Sequence, residues 1–320
     1  MGGYENITCP ICDTGINENS FIRTFVSPYN DLKYKLYYCP NCQLKFWEPL
    51  KMIPEFFENE GFEDYFYGHI GLKELRQRHK RFLKVFPIKR GYLLDVGCGD
   101  GIFLYYLKKA FNFNVYGIDL DRKLIKVAKR KFSLENVFTT SLKYFIDFVE
   151  KQNVKFDVIT FFEVLEHQDN PKGFLNDIKK LLKPKGYIAG SVPNRERVFA
   201  ELIRKNSLGD FPPYHFMWFS KDALRFFFKK TRLYKYRVLS HNIFSNGTSY
   251  GSRINIIWQY FKKIRKKVRL ISKDLKYSKN NRRIALLRFL RTLRNFSLAP
   301  LALPFLPVFN LKGYGILFSG

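Results

Sequence analysis

From Tyr92 onward, apolar runs of strand length alternate with stretches of helical periodicity. YLLDV (92–96) leads into IFLYYLKKAF, and VYGID (115–119) into RKLIKVAKRKF; FDVITFF (156–162) and YIAGSV (187–192) are later apolar runs. Strands that are apolar on both sides must be covered on both sides. The alternation therefore predicts an α/β fold, a Rossmann-like parallel sheet with helices on both faces. Ser220 suits the N-cap of a helix over KDALRFFFKK, YKYRVL (234–239) reads as a sixth strand, and GYGILFSG as a short closing strand. Upstream, LKYKLYYC has the pattern of a strand running into Cys39, and a helix is expected from Leu72 to Phe86, stopped by Pro87.

Between the sixth and the closing strand the pattern changes. From Arg253 to Arg294 there are fifteen Lys or Arg against the single Asp274. Apolar residues recur there at helical spacing through Ile256, Ile257, Tyr260, Phe261, Ile264 and Val268, then Leu286, Leu287, Leu290 and Leu293. Two basic amphipathic helices are expected. The apolar stretch 298–311 is shorter than the ~20 residues of a spanning helix and holds three prolines. The expected organisation is a ribbon-like module at 1–50, an aromatic connector and lid helix at 51–90, an α/β core at 91–252, a basic helical insertion at 253–311 and a closing strand at 312–320.

Composition adds charge to this picture. The chain of 320 residues is 46% apolar and carries a formal net charge of +28. Such an excess favours a polyanionic neighbour, either nucleic acid or an anionic membrane surface. No apolar run follows Met1, so no signal peptide is expected and the protein is assigned to the cytoplasm. In that reducing compartment the pairs Cys9/Cys12 and Cys39/Cys42, each spaced CPxC, point to metal rather than disulfides. Four thiolates from two such knuckles surround a zinc ion tetrahedrally, which predicts a structural zinc ribbon.

The candidate chemistry sits at LLDVGCGDG, where a strand turns into a helix. A glycine loop at that place admits a nucleotide. A dinucleotide is disfavoured: the third glycine of that pattern falls on Ile102, and Asp95 and Asp100 repel a pyrophosphate. The same carboxylates suit a ligand bearing an ammonium and a sulfonium, and the helix start suits its carboxylate. Asp119, eighteen residues past Gly101 at the end of the next strand, is placed to accept ribose hydroxyls. S-adenosylmethionine has all of these groups. The expected cofactor contacts are Asp95, Gly97, Cys98, Gly99, Asp100, Gly101, Asp119, Leu120, Phe162 and Glu163.

DVGCGDG, GIDLD and FDVITFFEVLEHQDNP resemble motifs of class I methyltransferases, in the branch that includes the quinone-biosynthesis O-methyltransferases. The resemblance spans about residues 65–239. It implies a seven-stranded sheet whose last strand is antiparallel, and an adenine contact after the third strand, near Ser141 and Leu142, where the family's usual Asp is missing.

Methyl transfer from a sulfonium is an in-line displacement in which orientation is the main task. Glu163, Glu166 and His167, just beyond FDVITFF, share one face if EVLEH forms a helical turn. Three readings stay open: a segment that only shapes the pocket, a divalent metal site, or a histidine base. EVLEH resembles the metal-binding segment of some quinone O-methyltransferases and of small-RNA 2′-O-methyltransferases, which implies a later histidine, here His215, and a cation such as magnesium. His167, His215, Glu163 and Glu166 are thus the candidate catalytic residues. Tyr65 and Tyr67 are candidate lid residues.

Three functional classes follow. The leading one is a methyltransferase acting on a small-molecule, glycan or lipid-linked acceptor, O-methylation favoured, held on the inner face of a membrane by the basic insertion. The second is an RNA methyltransferase using ribbon and charge to hold RNA. The third is a non-catalytic binding protein with a degenerate domain. Oligomeric state is not encoded in any of these patterns.

Overall fold

The computed structural model describes residues 7–58, 75–197, 200, 201, 204, 208–233, 236–241 and 315–319. The chain divides into two compact units, 1–241 with 313–320, and 242–312. The second unit, which takes in the expected basic insertion, lies outside the described residues, as do Tyr65 and Tyr67.

Seven strands form the main sheet: β4 (Arg90–Val96), β5 (Asn112–Asp119), β6 (Val137–Thr139), β7 (Phe156–Phe162), β8 (Leu182–Pro193), β10 (Arg237–His241) and β11 (Gly315–Ser319). Their order is β10-β11-β8-β7-β4-β5-β6. The five strands from β8 to β6 run parallel, and β11 lies antiparallel between β8 and β10. The closing strand thus completes the sheet by pairing Leu317 with Ser191 and with Leu239. The sixth strand begins at Arg237, later than the pattern suggested.

The helices are α1 (Glu55–Glu58), α2 (Gln77–Val85), α3 (Ile102–Ala110), α4 (Arg122–Phe132), α5 (Leu142–Lys151), α6 (Pro171–Leu181) and α7 (Lys221–Lys230). The period-2 alternation of the strands sorts side chains onto two faces. Leu93, Val115 and Val158 pack with Phe82 of α2, Phe103 and Leu107 of α3, and Ile125 and Ala128 of α4. Their chain neighbours Leu94 and Ile159 pack instead with Phe145, Ile178 and Phe227 of α5, α6 and α7. One core therefore lies on each side of the sheet. Asp121, Asn170 and Ser220 cap α4, α6 and α7 with their side chains, satisfying first-turn N–H groups.

The cysteine-bearing segment is built on β1 (Phe21–Val26), β2 (Lys33–Tyr38) and β3 (Lys45–Glu48). It is not a free-standing module. A fourth strand, β9 (Met217–Trp218), comes from the distant end of the core and pairs with β3. Trp47 N–H donates to the Phe216 carbonyl at 2.9 Å, and Phe216 N–H in turn donates to the Glu166 carbonyl at 3.0 Å. Lys172 and Lys230 both reach Asp13, and Arg195 reaches the Gln43 carbonyl.

Candidate active site

The carboxyl ends of β4, β5 and β7 converge, and the loop after β4 is made of three glycines in the left-handed region. Gly97, Gly99 and Gly101 have φ of 74°, 56° and 75°. A side chain on Gly101 would bring its Cβ to 2.8 Å from that of Ala128. At Gly99 the nearest heavy atom to a built Cβ is 4.0 Å away, so the loop opens toward space at that point. The Cys98 sulfur fills the room left by Gly117, and Cys98 N–H donates to the Ile118 carbonyl at 3.0 Å, tying the loop to β5.

Three carboxylates surround this loop. Asp95 is buried and accepts from Thr160 Oγ1 at 2.6 Å. Asp119 accepts from Gly99 N–H at 2.8 Å and from Asp121 N–H at 2.9 Å. Asp100 accepts from Ile102 N–H at 3.2 Å, and its Oδ2 is buried with no hydrogen-bond partner among the described residues. All of these donors are neutral. Burial pushes Asp95 up to about 7, reinforced by the charge of Asp119, and pushes Asp119 up to about 6. Burial also raises Asp100. Among the described residues none of the three is in a salt bridge; Arg78 acts on Asp95, and Arg76 and Lys131 on Asp100, only as longer-range attractions that do not outweigh burial.

The remaining expected contacts fall around this frame. Leu120 is half-buried between Asp119 and Asp121. Ser141 takes the N-cap position of α5 without using its side chain there, and Leu142 packs against the core. The Phe162 ring turns into the core, 4.8 Å from His79 and 5.2 Å from Phe103.

Beyond β7 the chain does not form the helical turn expected of EVLEH. Only Leu165–His167 are helical, as a single 3-10 turn. Glu163 is in the left-handed region, φ 59°, and its Oε1 accepts from Ser191 Oγ at 2.7 Å. A non-glycine residue there is strained. Its backbone is pinned by Glu163 N–H donating to the Ser191 carbonyl at 2.8 Å. Glu163 consequently does not share a face with the other two.

Glu166, His167 and His215 do come together, with one ligand atom from each within 4.8 Å of the others. The Glu166 side chain is fully buried, and neither of its oxygens has a hydrogen-bond partner among the described residues. Burial, then the charge of Glu163, raises its carboxyl well above the ordinary range. His167 Nδ1 donates to the Tyr214 carbonyl at 2.6 Å, and burial together with His215 lowers the ring to about 3, so it is neutral. His215 Nε2 is 3.9 Å from Glu166 Oε1, and its Nδ1 is 3.5 Å from Asp210 Oδ1. Asp210 is in turn held by Arg197 and by Arg204 Nε, the latter at 3.1 Å. Against the opposing effect of burial, His215 and these two guanidinium groups keep its carboxyl well below the usual range. Phe57 and Tyr29 close over this corner, 5.2 Å from His167 and 5.0 Å from Tyr214. Asp210, Arg197 and Arg204 carried no motif in the sequence; salt-bridge partners at unrelated spacings leave no periodic signal.

In the ribbon, Cys9, Cys12, Cys39 and Cys42 are buried thiols with all four sulfurs within 4.8 Å of one another. Cys9 Sγ lies 3.4 Å from Cys42 Sγ, and Cys12 Sγ 3.4 Å from Cys39 Sγ. These are non-bonded separations, not disulfides.

Part of the chain is similar to known proteins. The methyltransferase-domain family matches residues 67–234, just over half of the chain. The ubiquinone biosynthesis O-methyltransferase of Actinobacillus pleuropneumoniae serotype 7 is 41% identical over 109 residues, 32% of this chain and 46% of that protein. The mitochondrial enzyme of the same name from Schizosaccharomyces pombe is 35% identical over 105 residues, 32% of this chain and 38% of the relative. The chain thus spans less than half the length of these curated relatives. Among solved structures, the complex between the Haloferax volcanii Trm112 methyltransferase activator and a methyltransferase aligns with a TM-score of 0.50 at 15% identity, covering 81% of this chain and 94% of the other. That likeness concerns the fold alone. Strand order, glycine loop and family match agree, and the chain belongs to the methyltransferase-domain family.

Proposed function

We propose that this chain is an S-adenosylmethionine-dependent methyltransferase that transfers a methyl group to an oxygen of a small-molecule acceptor. The observation that carries the reading is the set of three carboxylates around an open glycine loop, Asp95 and Asp100 buried and Asp119 half-buried, none of them in a salt bridge among the described residues. A cationic nucleoside ligand supplies the missing charge: Asp119 is suited to the ribose, Asp95 and Asp100 to the ammonium end, and Gly99 to close backbone approach. Glycan and lipid-linked acceptors belong to the same reading, and the names of the ubiquinone biosynthesis relatives favour an aromatic hydroxyl.

On the acceptor side, Glu166, His167 and His215 fit a divalent cation, because a buried carboxylate with two unsatisfied oxygens beside a neutral imidazole is costly without one. These three residues would hold the ion, and the chemistry it would supply is a lowered pKa for an acceptor hydroxyl. Two imidazoles favour manganese, iron or zinc over magnesium. Glu163, held by Ser191, lies near enough for its charge to act on Glu166.

In the ribbon the four sulfurs fit tetrahedral zinc, whose Zn–S bonds of about 2.3 Å set sulfurs roughly 3.8 Å apart. With four protein ligands this zinc has a structural role. No described helix is long and apolar enough to cross a membrane. The run of basic charge from Arg253 to Arg294 supports a cytoplasmic protein that lies against an anionic bilayer.

The test is transfer of labelled methyl from S-adenosylmethionine to a panel of catechols and phenols. Label is expected in the hydroxyl-bearing products and is expected to disappear in Asp119→Ala. Stripping the acceptor-side ion with a chelator that leaves the ribbon zinc bound is expected to abolish transfer without weakening cofactor binding. Label entering RNA but no small molecule would overturn the reading.

A further inference from the structure

The two histidines beside Glu166 each face an acceptor on their Nδ1 edge. For His167 the partner is a main-chain carbonyl, that of Tyr214 at 2.6 Å, which can only accept, so Nδ1 carries the hydrogen. His215 Nδ1 faces Asp210 Oδ1 at 3.5 Å. Asp210 has little freedom to be anywhere else. Its Oδ2 takes bonds from Arg197 and Arg204, and its backbone carbonyl accepts from Trp218 Nε1 at 2.6 Å. Arg204 is itself fixed, its guanidinium stacked 3.9 Å over Trp218 and bonded to Glu201 at 2.9 Å. Arg197 and Arg204 are buried, with 4% and 6% of their surface exposed.

A largely covered carboxylate between two guanidinium groups has all the cationic partners it needs for stability. Its second oxygen is nevertheless turned to an imidazole whose far nitrogen lies 3.9 Å from the orphaned Glu166 Oε1. Imidazoles that ligate a metal through one nitrogen characteristically donate from the other to a carboxylate or carbonyl, which fixes tautomer and ring angle. His167 meets that description, and His215 faces its carboxylate at 3.5 Å, a gap that a small turn of the ring closes.

We propose that Asp210 is a positioning residue that holds His215 as the Nδ1–H tautomer and aims its Nε2 into the space shared with Glu166 and His167, Arg197 and Arg204 serving to lock Asp210 in place. The inference rests on the acceptor-side cation reading, but the tautomer it requires belongs to the protein without any ion.

Two measurements test it on the full-length chain with the ribbon zinc retained. Nitrogen-15 NMR of histidine-labelled protein, with the His215 signals assigned from His215→Gln, is expected to show His215 protonated on Nδ1. Manganese binding followed by electron paramagnetic resonance is expected to weaken about 10- to 100-fold in Asp210→Asn. S-adenosylmethionine affinity is expected to stay within about twofold in the same variant, which a general loss of fold would not allow. His215 found with its hydrogen on Nε2 overturns the proposal, as does an Asp210→Asn protein that binds manganese like the parent. If the parent itself binds no manganese, the cation reading fails, and the tautomer alone decides the role of Asp210. If Asp210→Asn does not fold, the tautomer in the parent again decides.

Discussion

A carboxyl group shut away from water beside a second carboxyl group is a reluctant acid. Asp95, at about 7, and Asp119, at about 6, both stand above the ordinary value near 3.9. Because the folded value is raised, their stabilising contribution is complete below the unfolded value and is lost as pH climbs through 6 to 7. Ligand-free protein is therefore expected to melt at a lower temperature at about pH 8 than at about pH 5, and Asp95→Asn to flatten that slope. A cationic ligand reverses the sign, so S-adenosylmethionine affinity is expected to rise over the same window in the parent and less in the variant. Scanning calorimetry and titration calorimetry read the two effects; a pH-independent melting temperature in the parent contradicts the assignment. These residues were legible in the sequence because a glycine loop and an acid eighteen positions later fall in fixed register on two adjacent strands. Asp210 was not, because its meaning lies in three-dimensional partners, Arg197, Arg204 and His215, at unrelated spacings along the chain.

At the scale of elements, the apolar runs predicted strands β4, β5, β7 and β8 well because they are buried on both faces, where tertiary packing and local pattern agree. EVLEH misled for a physical reason. Its spacing fits a helix, but the Glu163 backbone is captured by Ser191 on the neighbouring β8 and turned left-handed, leaving three residues for a 3-10 turn. The two-residue strand β9 had no readable period at all, yet it binds the ribbon to the site through Trp47, Phe216 and Glu166. That splice predicts coupling. Elemental analysis is expected to find one ribbon zinc per chain, and Cys39→Ser to lose it together with a substantial share of thermal stability. In that variant the His167 and His215 NMR signals are expected to broaden or shift as well. Unchanged histidine signals in zinc-free protein would show the ribbon to be independent of the site.

At the scale of the whole molecule, half of the +28 charge is concentrated between Arg253 and Arg294, which falls within the second of the two units, 242–312. Charge of that density is screened by salt and attracted to anionic surfaces within about a Debye length, roughly 8 Å at physiological ionic strength. The chain is expected to float with liposomes rich in anionic lipid at low salt and to be released at high salt. A form lacking 253–294 is expected to stay in solution, and equal flotation of both forms would remove the membrane reading.

The pairing of β3 with β9 also bears on how the chain is made. A ribosome delivers both cysteine knuckles long before Met217 and Trp218, so the first three strands must wait with one edge unsatisfied while the core is synthesised. Closing so long a loop costs entropy that a preassembled partner reduces. Metal taken up early by the knuckles would give the late strand a finished template, so the yield of folded chain is expected to follow zinc supply during synthesis rather than afterwards.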